Sequence, residues 1–487
     1  MNVSSFIKKY NPYARYNPYA VALLRIVAGA LFIISGISKA IDPWGFIFKI
    51  EDYFAVWNIM QPRTITLVIA IGLSVYEFIL GFMLLAGCFK RMAPWLLMLM
   101  MAFMLPLTAY LWIADPVDDC GCFGDMWKIS NAATFWKNVL IVLALAYLCR
   151  YNRMLRRGVY RPAIQWIVVA VLLVYTLVIS LYGYNIQPMI DFRPYPVGTN
   201  IYAALTGEGD DDDTIMMVYE RDGEQREFSV DELPDSTWTF VRRAEQSPIG
   251  IGEAGFSIYD VDGDDVTDYA LTDEGDMLVL VIPETNRVDI AYTYAINEMS
   301  KAVNRAGGSM AALIAATPDG IESWIDMSMA DYPCYIAEDT SLKQLARGGM
   351  AMVSLRDGVI QWKRTLSAFD FRTVDALGNG TMSIDDIHID DSRYFIVITI
   401  VVATLLLIIA LTQEFIVRLL PKKQKKQLTL QSESGDAEGD GSETAEAESA
   451  EAAADCSVTV TDSPEAGADD AVTDADDATA DSPKGNE

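Results

Sequence analysis

Apolar residues gather in six long runs, at approximately residues 20–40, 64–87, 92–114, 132–149, 163–183 and 394–416. Each is close to the roughly 20 residues a helix needs to cross the hydrocarbon of a bilayer, so the pattern predicts six transmembrane helices. Between the fifth and sixth runs the rhythm shortens. Ile215–Tyr219 and Arg226–Val230 flank a Glu220–Glu224 turn and read as a small hairpin. From Phe256–Asp260 the spacing predicts strand, a buried strand at Asp276–Pro283, helix 290–306, strand 309–316, helix 318–329, strand 333–337, helix 340–347 and a hairpin 350–364 around Arg356-Asp357-Gly358. The expected fold class is a membrane all-α helical bundle of six transmembrane helices plus an α/β domain.

The organisation that follows is an N-terminal segment 1–17, a bundle 18–150, a basic loop with the fifth span 151–183, a linker and hairpin 184–251, the α/β domain 252–370, a juxtamembrane linker 371–393, the sixth span 394–416 and a tail 417–487. Three prolines in Pro188–Ile201 resist helix and central strand, so that stretch reads as extended. The first apolar run is followed by Lys39 and lacks a small-residue cleavage pattern, so it reads as a retained span and not a signal peptide.

Composition supports the membrane assignment: 487 residues are 52% hydrophobic. The net charge of −29 is concentrated at one end, because residues 432–487 hold eighteen Asp and Glu against Lys484 alone. Such an acidic chain repels phosphate backbones, which excludes nucleic acid as the expected partner. The tail has too little apolar surface to offset the entropy of ordering, so it reads as disordered, with room for a cytoplasmic partner and with Cys456 as an incidental thiol.

Lys8, Lys9 and Arg15, then Lys90 and Arg91, then Arg150, Arg153, Arg156, Arg157 and Arg161, then Lys422, Lys423, Lys425 and Lys426 fall on one side of six spans. By the positive-inside rule that side is the cytoplasm, with both termini. The 115–131 loop and residues 184–393 then face the periplasm of a bacterial inner membrane, where disulfides persist.

On that acidic loop lies Cys120-Gly121-Cys122. Residues i and i+2 of an extended chain point to one side, and Gly121 permits the bend that brings two sulfurs together. An exposed, strained pair of this kind exchanges readily, which suits a donor or relay, whereas the plainer reading is a static staple. Lys39 and Lys137 fall toward the same face and favour a thiolate. Arg25 and Glu77 are charges at membrane depth and so functional candidates, with an internal pair that only fixes helix packing as the plainer reading. A metal site is disfavoured, since Asp118, Asp119 and Asp125 make a poor zinc set with two thiols and the only histidine is His388. Cys88, Cys149 and Cys334 read as packing residues. Asp260–Asp264 and Asp375…Asp386 lack full calcium-loop spacing and read as turns. No nucleotide-binding or zinc-protease motif is present in the sequence.

Arg25…Gly29…Ser35-Gly36…Lys39…Asp42-Pro43, Glu77…Gly81, Cys120-Gly121-Cys122-Phe123-Gly124 and Lys137-Asn138 together resemble the DoxX and MauE families of four-helix bacterial membrane proteins, over residues 18–150. The MauE member acts in methylamine utilisation and is implicated in maturing a disulfide-rich dehydrogenase subunit, so the resemblance implies a redox or maturation role. The order of elements over 252–370 resembles a TlpA-type thioredoxin-like domain. It departs from that family where a dithiol belongs, at Glu284–Asp289, and where a proline precedes the penultimate strand, at Arg347-Gly348-Gly349-Met350. Arg356, Trp362 and Lys363 of the last hairpin read as ordinary surface.

Two functions stand. The first is a membrane thiol–disulfide component in which Cys120 and Cys122 cycle, Lys39 and Lys137 stabilise the thiolate, and a catalytically dead thioredoxin-like domain docks a periplasmic client or redox partner. The second is a non-enzymatic scaffold presenting that domain. No cofactor is identifiable; a quinone is chemically compatible with a membrane thiol oxidant, but no residue specifies one.

Overall fold

The computed structural model describes residues 17–59, 62–117, 120–151, 161–206, 216–221, 224–229, 239–243, 257–271, 274–285 and 288–419. The acidic tail with Cys456, the N-terminal basic residues, the basic cluster at 153–157, Asp118 and Asp119, and the Asp222-Gly223 turn lie outside these residues.

Six helices are long and apolar enough to span a membrane: α1 (Asn17–Ile41), α3 (Arg63–Ala86), α4 (Met92–Ala114), α5 (Asn131–Arg150), α6 (Pro162–Asn185) and α13 (Asp391–Leu419). The chain is a multi-pass membrane protein. A helix absent from the expectation, α2 (Pro43–Val56), stands between the first two spans. Its start is locally encoded: the Asp42 carboxylate caps Gly45 N–H at 3.0 Å, and Pro43 occupies the first turn, where its missing N–H costs nothing.

Spans α1 and α3 touch along small residues. A Cβ on Gly36 would come within 2.4 Å of Phe78 N, and one on Gly81 within 2.8 Å of Ile33 N, so only hydrogen at these positions allows the two backbones to approach. This contact sets Lys39 of α1 opposite Glu77 of α3.

The soluble region contains α7 (Ile201–Thr206) and a three-stranded antiparallel sheet of β1 (Met216–Arg221), β2 (Glu224–Ser229) and β3 (Thr239–Arg243), in the order β2-β1-β3. The hairpin was expected; its third strand was not. Beyond it lies a mixed α/β domain: β4 (Ile258–Tyr259), α8 (Thr267–Ala270), β5 (Asp276–Ile282), α9 (Thr293–Arg305), β6 (Ser309–Ile314), α10 (Pro318–Ser328), β7 (Cys334–Ala337), α11 (Asp339–Leu345), β8 (Ala351–Arg356), β9 (Val359–Thr365) and α12 (Phe371–Gly378). The sheet order is β4-β7-β6-β5-β8-β9, parallel at β5/β6 and β6/β7 and antiparallel at β5/β8 and β8/β9.

Central strand β5 is apolar at every position from Met277 because both of its faces are covered. Met277, Val279 and Val281 join Leu313, Val353 and Leu342 on one side, while Leu278, Leu280 and Ile282 meet Ile296, Met299, Val303 and Trp324 on the other. The prolyl stretch after α6 forms no helix and no strand, but it is bent and turned where an extended course was expected, Thr199 N–H closing onto Pro196 O at 3.1 Å, and it is no loose tether. Gly198 N–H donates to Ile360 O and Ile360 N–H to Thr199 O, and Tyr195 is wholly buried.

The reading of the last hairpin as surface is corrected. Trp362 and Lys363 are buried, and the Lys363 ammonium bonds Asp191 at 3.0 Å. Alternation along β9 sends the two to opposite faces: Trp362 enters the core and donates to Ile384 O at 3.2 Å, while Lys363 is covered by the stretch before α7. Arg356 is half exposed and pairs with Asp276 at 2.7 Å.

Candidate functional site at the Cys-Gly-Cys loop

The loop joining α4 to α5 is fixed at both ends before the thiols are placed. Asp115 ends α4 in the left-handed conformation, and Asn131 Nδ2 donates to its carboxylate at 2.9 Å and to Val117 O at 2.7 Å. Ser130 caps the start of α5 by accepting from Ala133 N–H. Gly121 has φ +62, which a residue with a side chain adopts only with strain, and Gly124 N–H closes the turn onto Gly121 O at 3.1 Å. With the chain bent there, Cys120 Sγ and Cys122 Sγ lie 2.8 Å apart as thiols.

Both cysteine carbonyls are anchored to other elements. Tyr53 of α2 donates to Cys120 O at 2.6 Å. Ser35 Oγ is 2.6 Å from Cys122 O and 2.6 Å from Glu77 Oε2, so its single proton serves one of them at a time. Lys39 Nζ donates to Glu77 Oε2 at 2.6 Å and to Ser35 Oγ at 2.9 Å. The pairing expected between Arg25 and Glu77 is therefore corrected. Glu77 is held by Lys39 and Ser35, which the α1–α3 contact presents one helical turn apart, while Arg25 Nη2 donates to Leu85 O at 2.8 Å.

Lys137 sits over the Phe123 ring at 4.4 Å and makes no hydrogen bond or ion pair to a described residue, while its charge acts on both sulfurs. The hydrogen bond from Cys122 lowers the Cys120 thiol to about 6, against the opposing effect of burial, with Thr134 and Lys137 acting in the same direction. Cys122, donating that bond to a thiolate and partly buried, is raised. A sulfur with a lowered pKa beside a thiol that donates to it is the arrangement from which a dithiol exchanges.

A cavity of about 240 Å³ adjoins the sulfurs. Ser35, Lys39, Tyr53, Glu77, Lys137 and Asn138 contribute its polar part, and most of its remaining wall is apolar, including Leu73, Met100 and Phe103. Among the described residues no group of three His, Cys, Asp or Glu side chains comes together as a metal site.

The α/β domain reaches this loop through Arg347. The residue is 3% exposed, and its Nη2 donates to Asp42 Oδ2 at 2.7 Å and contacts Asp125 Oδ2, three residues beyond Cys122. Burial alone would lower the Arg347 pKa, yet Asp42 and Asp125 hold it above its ordinary value. Gly45 makes room: a Cβ there would lie 2.8 Å from Arg347 Nη2. A second bridge joins Glu284, at the end of β5, to Arg63 Nη2 at 2.8 Å, and Arg63 also binds Glu51 of α2. Sequence reasoning noticed Arg347 and Glu284 only as departures from a family pattern, and it did not anticipate Tyr53 or Ser35 at the site.

The other thiols stand apart. Cys334 is in the sheet core, where burial pushes its thiol up to about 12, and Cys88 is buried at the end of α3 at about 11. His388 is exposed in the segment before α13. The Asp260 carboxylate is used internally, accepting from Asp264 N–H at 2.9 Å.

The architecture is that of a membrane protein with six apolar spans and a mixed α/β sheet domain closed onto one end of its bundle. Residues 17–150 are a MauE-family membrane domain, matching the family model described as methylamine utilisation protein MauE. Residues 214–246, around the three-stranded sheet, match a domain of unknown function, DUF8463. Neither the curated proteins nor the solved structures contain a match.

Proposed function

We propose that the chain is a thiol–disulfide relay of the bacterial inner membrane, in which Cys120 and Cys122 alternate between dithiol and disulfide and pass oxidising equivalents to periplasmic proteins during their maturation. The observation that carries this reading is the pair of sulfurs 2.8 Å apart on a loop held by Tyr53, Ser35 and Asn131, with Cys120 lowered to about 6. Thiolate attack needs a low-pKa sulfur, a second sulfur within bonding reach and a positive environment, and Lys39 and Lys137 supply the last. The name of the matched family suggests methylamine utilisation as the setting; no residue of the site selects an amine.

In this proposal both termini are cytoplasmic and the α/β domain is periplasmic. That domain is a thioredoxin-like module with Glu284–Asp289 in the region of the dithiol and Arg347-Gly348-Gly349-Met350 in the region of the usual proline; Glu284 and Arg347 belong to these two segments. Both residues contact the bundle, so the edge a thioredoxin would offer a client here positions the loop. The scaffold alternative, with the same topology and no sulfur chemistry, predicts indifference to both cysteines.

The test is Cys122→Ser in the full chain. The relay predicts a mixed disulfide trapped on Cys120 with a periplasmic protein and loss of partner oxidation. Unchanged partner oxidation in the folded, inserted variant supports the scaffold. Orientation is checked with Asp264→Cys, at an exposed turn, which a membrane-impermeant maleimide should label in intact spheroplasts.

A further inference from the structure

We propose that the cavity beside the dithiol binds the ring of a membrane-soluble quinone, which accepts the electron pair of Cys120 and Cys122; this rests on the relay reading above. A dithiol that repeatedly donates disulfides must itself be reoxidised, and the cavity indicates from where.

Its rim is apolar and exposed, and it includes residues of spanning helices, whose exposed apolar faces meet lipid. Trp57, Ile69 and Phe103 line it, and Phe103, a residue of spanning helix α4, is 66% exposed. A charged or water-borne oxidant has no favourable route through such a mouth, whereas a ligand dissolved in the bilayer does. At about 240 Å³ the cavity lies just under the usual range of about 300–1,000 Å³ for ligand sites, which suits a planar ring with its tail left in the lipid.

The inner end is polar in the way a ring carbonyl requires. Lys39 is buried there with Glu77, and the ammonium of Lys137 has no hydrogen-bond or ion-pair partner among the described residues. Both are donors with no acceptor capacity, and carbonyl oxygens are acceptors only. A quinone offers the half-buried Lys137 a hydrogen-bond acceptor, which an acyl chain lacks.

The chemistry balances within the site. Cys120 enters as thiolate and Cys122 as thiol. The Cys122 S–H bond breaks, the S–S bond forms, and two electrons pass to the quinone. Its two carbonyls become hydroxyls, taking one proton from Cys122 and one from the Lys39 ammonium, which is reprotonated from water. The products are the disulfide and a hydroquinone, which leaves by the mouth through which the quinone entered.

The test uses the reduced full-length chain in lipid nanodiscs under anaerobic conditions, with decyl-ubiquinone as the probe and diamide as a small oxidant that needs no cavity. The expected result is one hydroquinone per chain, read by absorbance, with both loop thiols lost to alkylation. Ile69→Trp, at the mouth, should slow the quinone reaction at least tenfold and leave the diamide reaction unchanged. If diamide closes the pair but decyl-ubiquinone is not reduced, or is reduced equally fast by Ile69→Trp, the quinone site is overturned and the relay survives. If neither oxidant closes the pair, the relay reading itself falls and the quinone site with it.

Discussion

Arg347→Met removes a guanidinium shared between Asp42, on the turn into α2, and Asp125, on the thiol loop, and leaves two carboxylates facing each other. The Arg347 and Asp42 side chains are 4% and 5% exposed, so breaking their pair strands a buried charge, at a cost of about 3–5 kcal/mol. Asp125 is 23% exposed and partly screened, so its share is under about 1 kcal/mol. Since about 1.4 kcal/mol is tenfold in an equilibrium, the closed arrangement of domain and loop should become less populated by about 10²–10⁴-fold. Hydrogen exchange of peptides covering 43–56 and 120–127 in the full chain reads this directly: both should exchange faster, while the β5 and β6 peptides should not. Asp42→Asn combined with Arg347→Met removes both charges of the buried pair and should recover much of the protection. Unaltered exchange in the single variant would refute the argument that Arg347 holds the loop.

Three further outcomes follow from the same geometry. Because the Cys120 pKa is lowered, its thiolate should persist as pH falls and be lost only through about 6, so iodoacetamide labelling should be half-maximal near that pH, against about 8.5 for an ordinary thiol; Lys137→Gln should move the midpoint upward. Glu77→Gln leaves the Lys39 ammonium without its carboxylate at 3% exposure and should cost about 3–5 kcal/mol, seen as a lower unfolding temperature in detergent. Gly36→Ala forces a methyl against the Phe78 backbone, which should destabilise by about 1–3 kcal/mol or more by overpacking and change the reactivity of Cys120, whereas Cys334→Ala should leave Cys120 labelling untouched.

The spans were legible because hydrocarbon imposes a single strong requirement, about 20 apolar residues, and all six runs meet it. The short apolar runs of β5, β6 and β8 and the helices between them were equally readable, since each pattern is local. The thiols announced themselves by spacing. What the sequence withheld was partnership across long separations. Glu77 meets Lys39 and not Arg25 because glycines set the α1–α3 approach, and Arg347 meets Asp42 across 305 positions. Helix α2 was signalled by Asp42-Pro43, but its length is below that of a span, so a search for membrane-length runs passed over it. Lys363 looked like surface because strand alternation does not reveal which side another segment will cover.

The central claim is that the two sulfurs of the 120–122 loop exchange between dithiol and disulfide, and the mass of the tryptic peptide 92–128, which contains both, tests it most directly. Protein alkylated in intact aerobic membranes and digested without reduction should yield this peptide two hydrogens lighter than its dithiol form and unalkylated, and prior reduction should convert it to the doubly alkylated form. A peptide already doubly alkylated before reduction, with or without added oxidant, would contradict the account and leave a membrane-anchored docking protein.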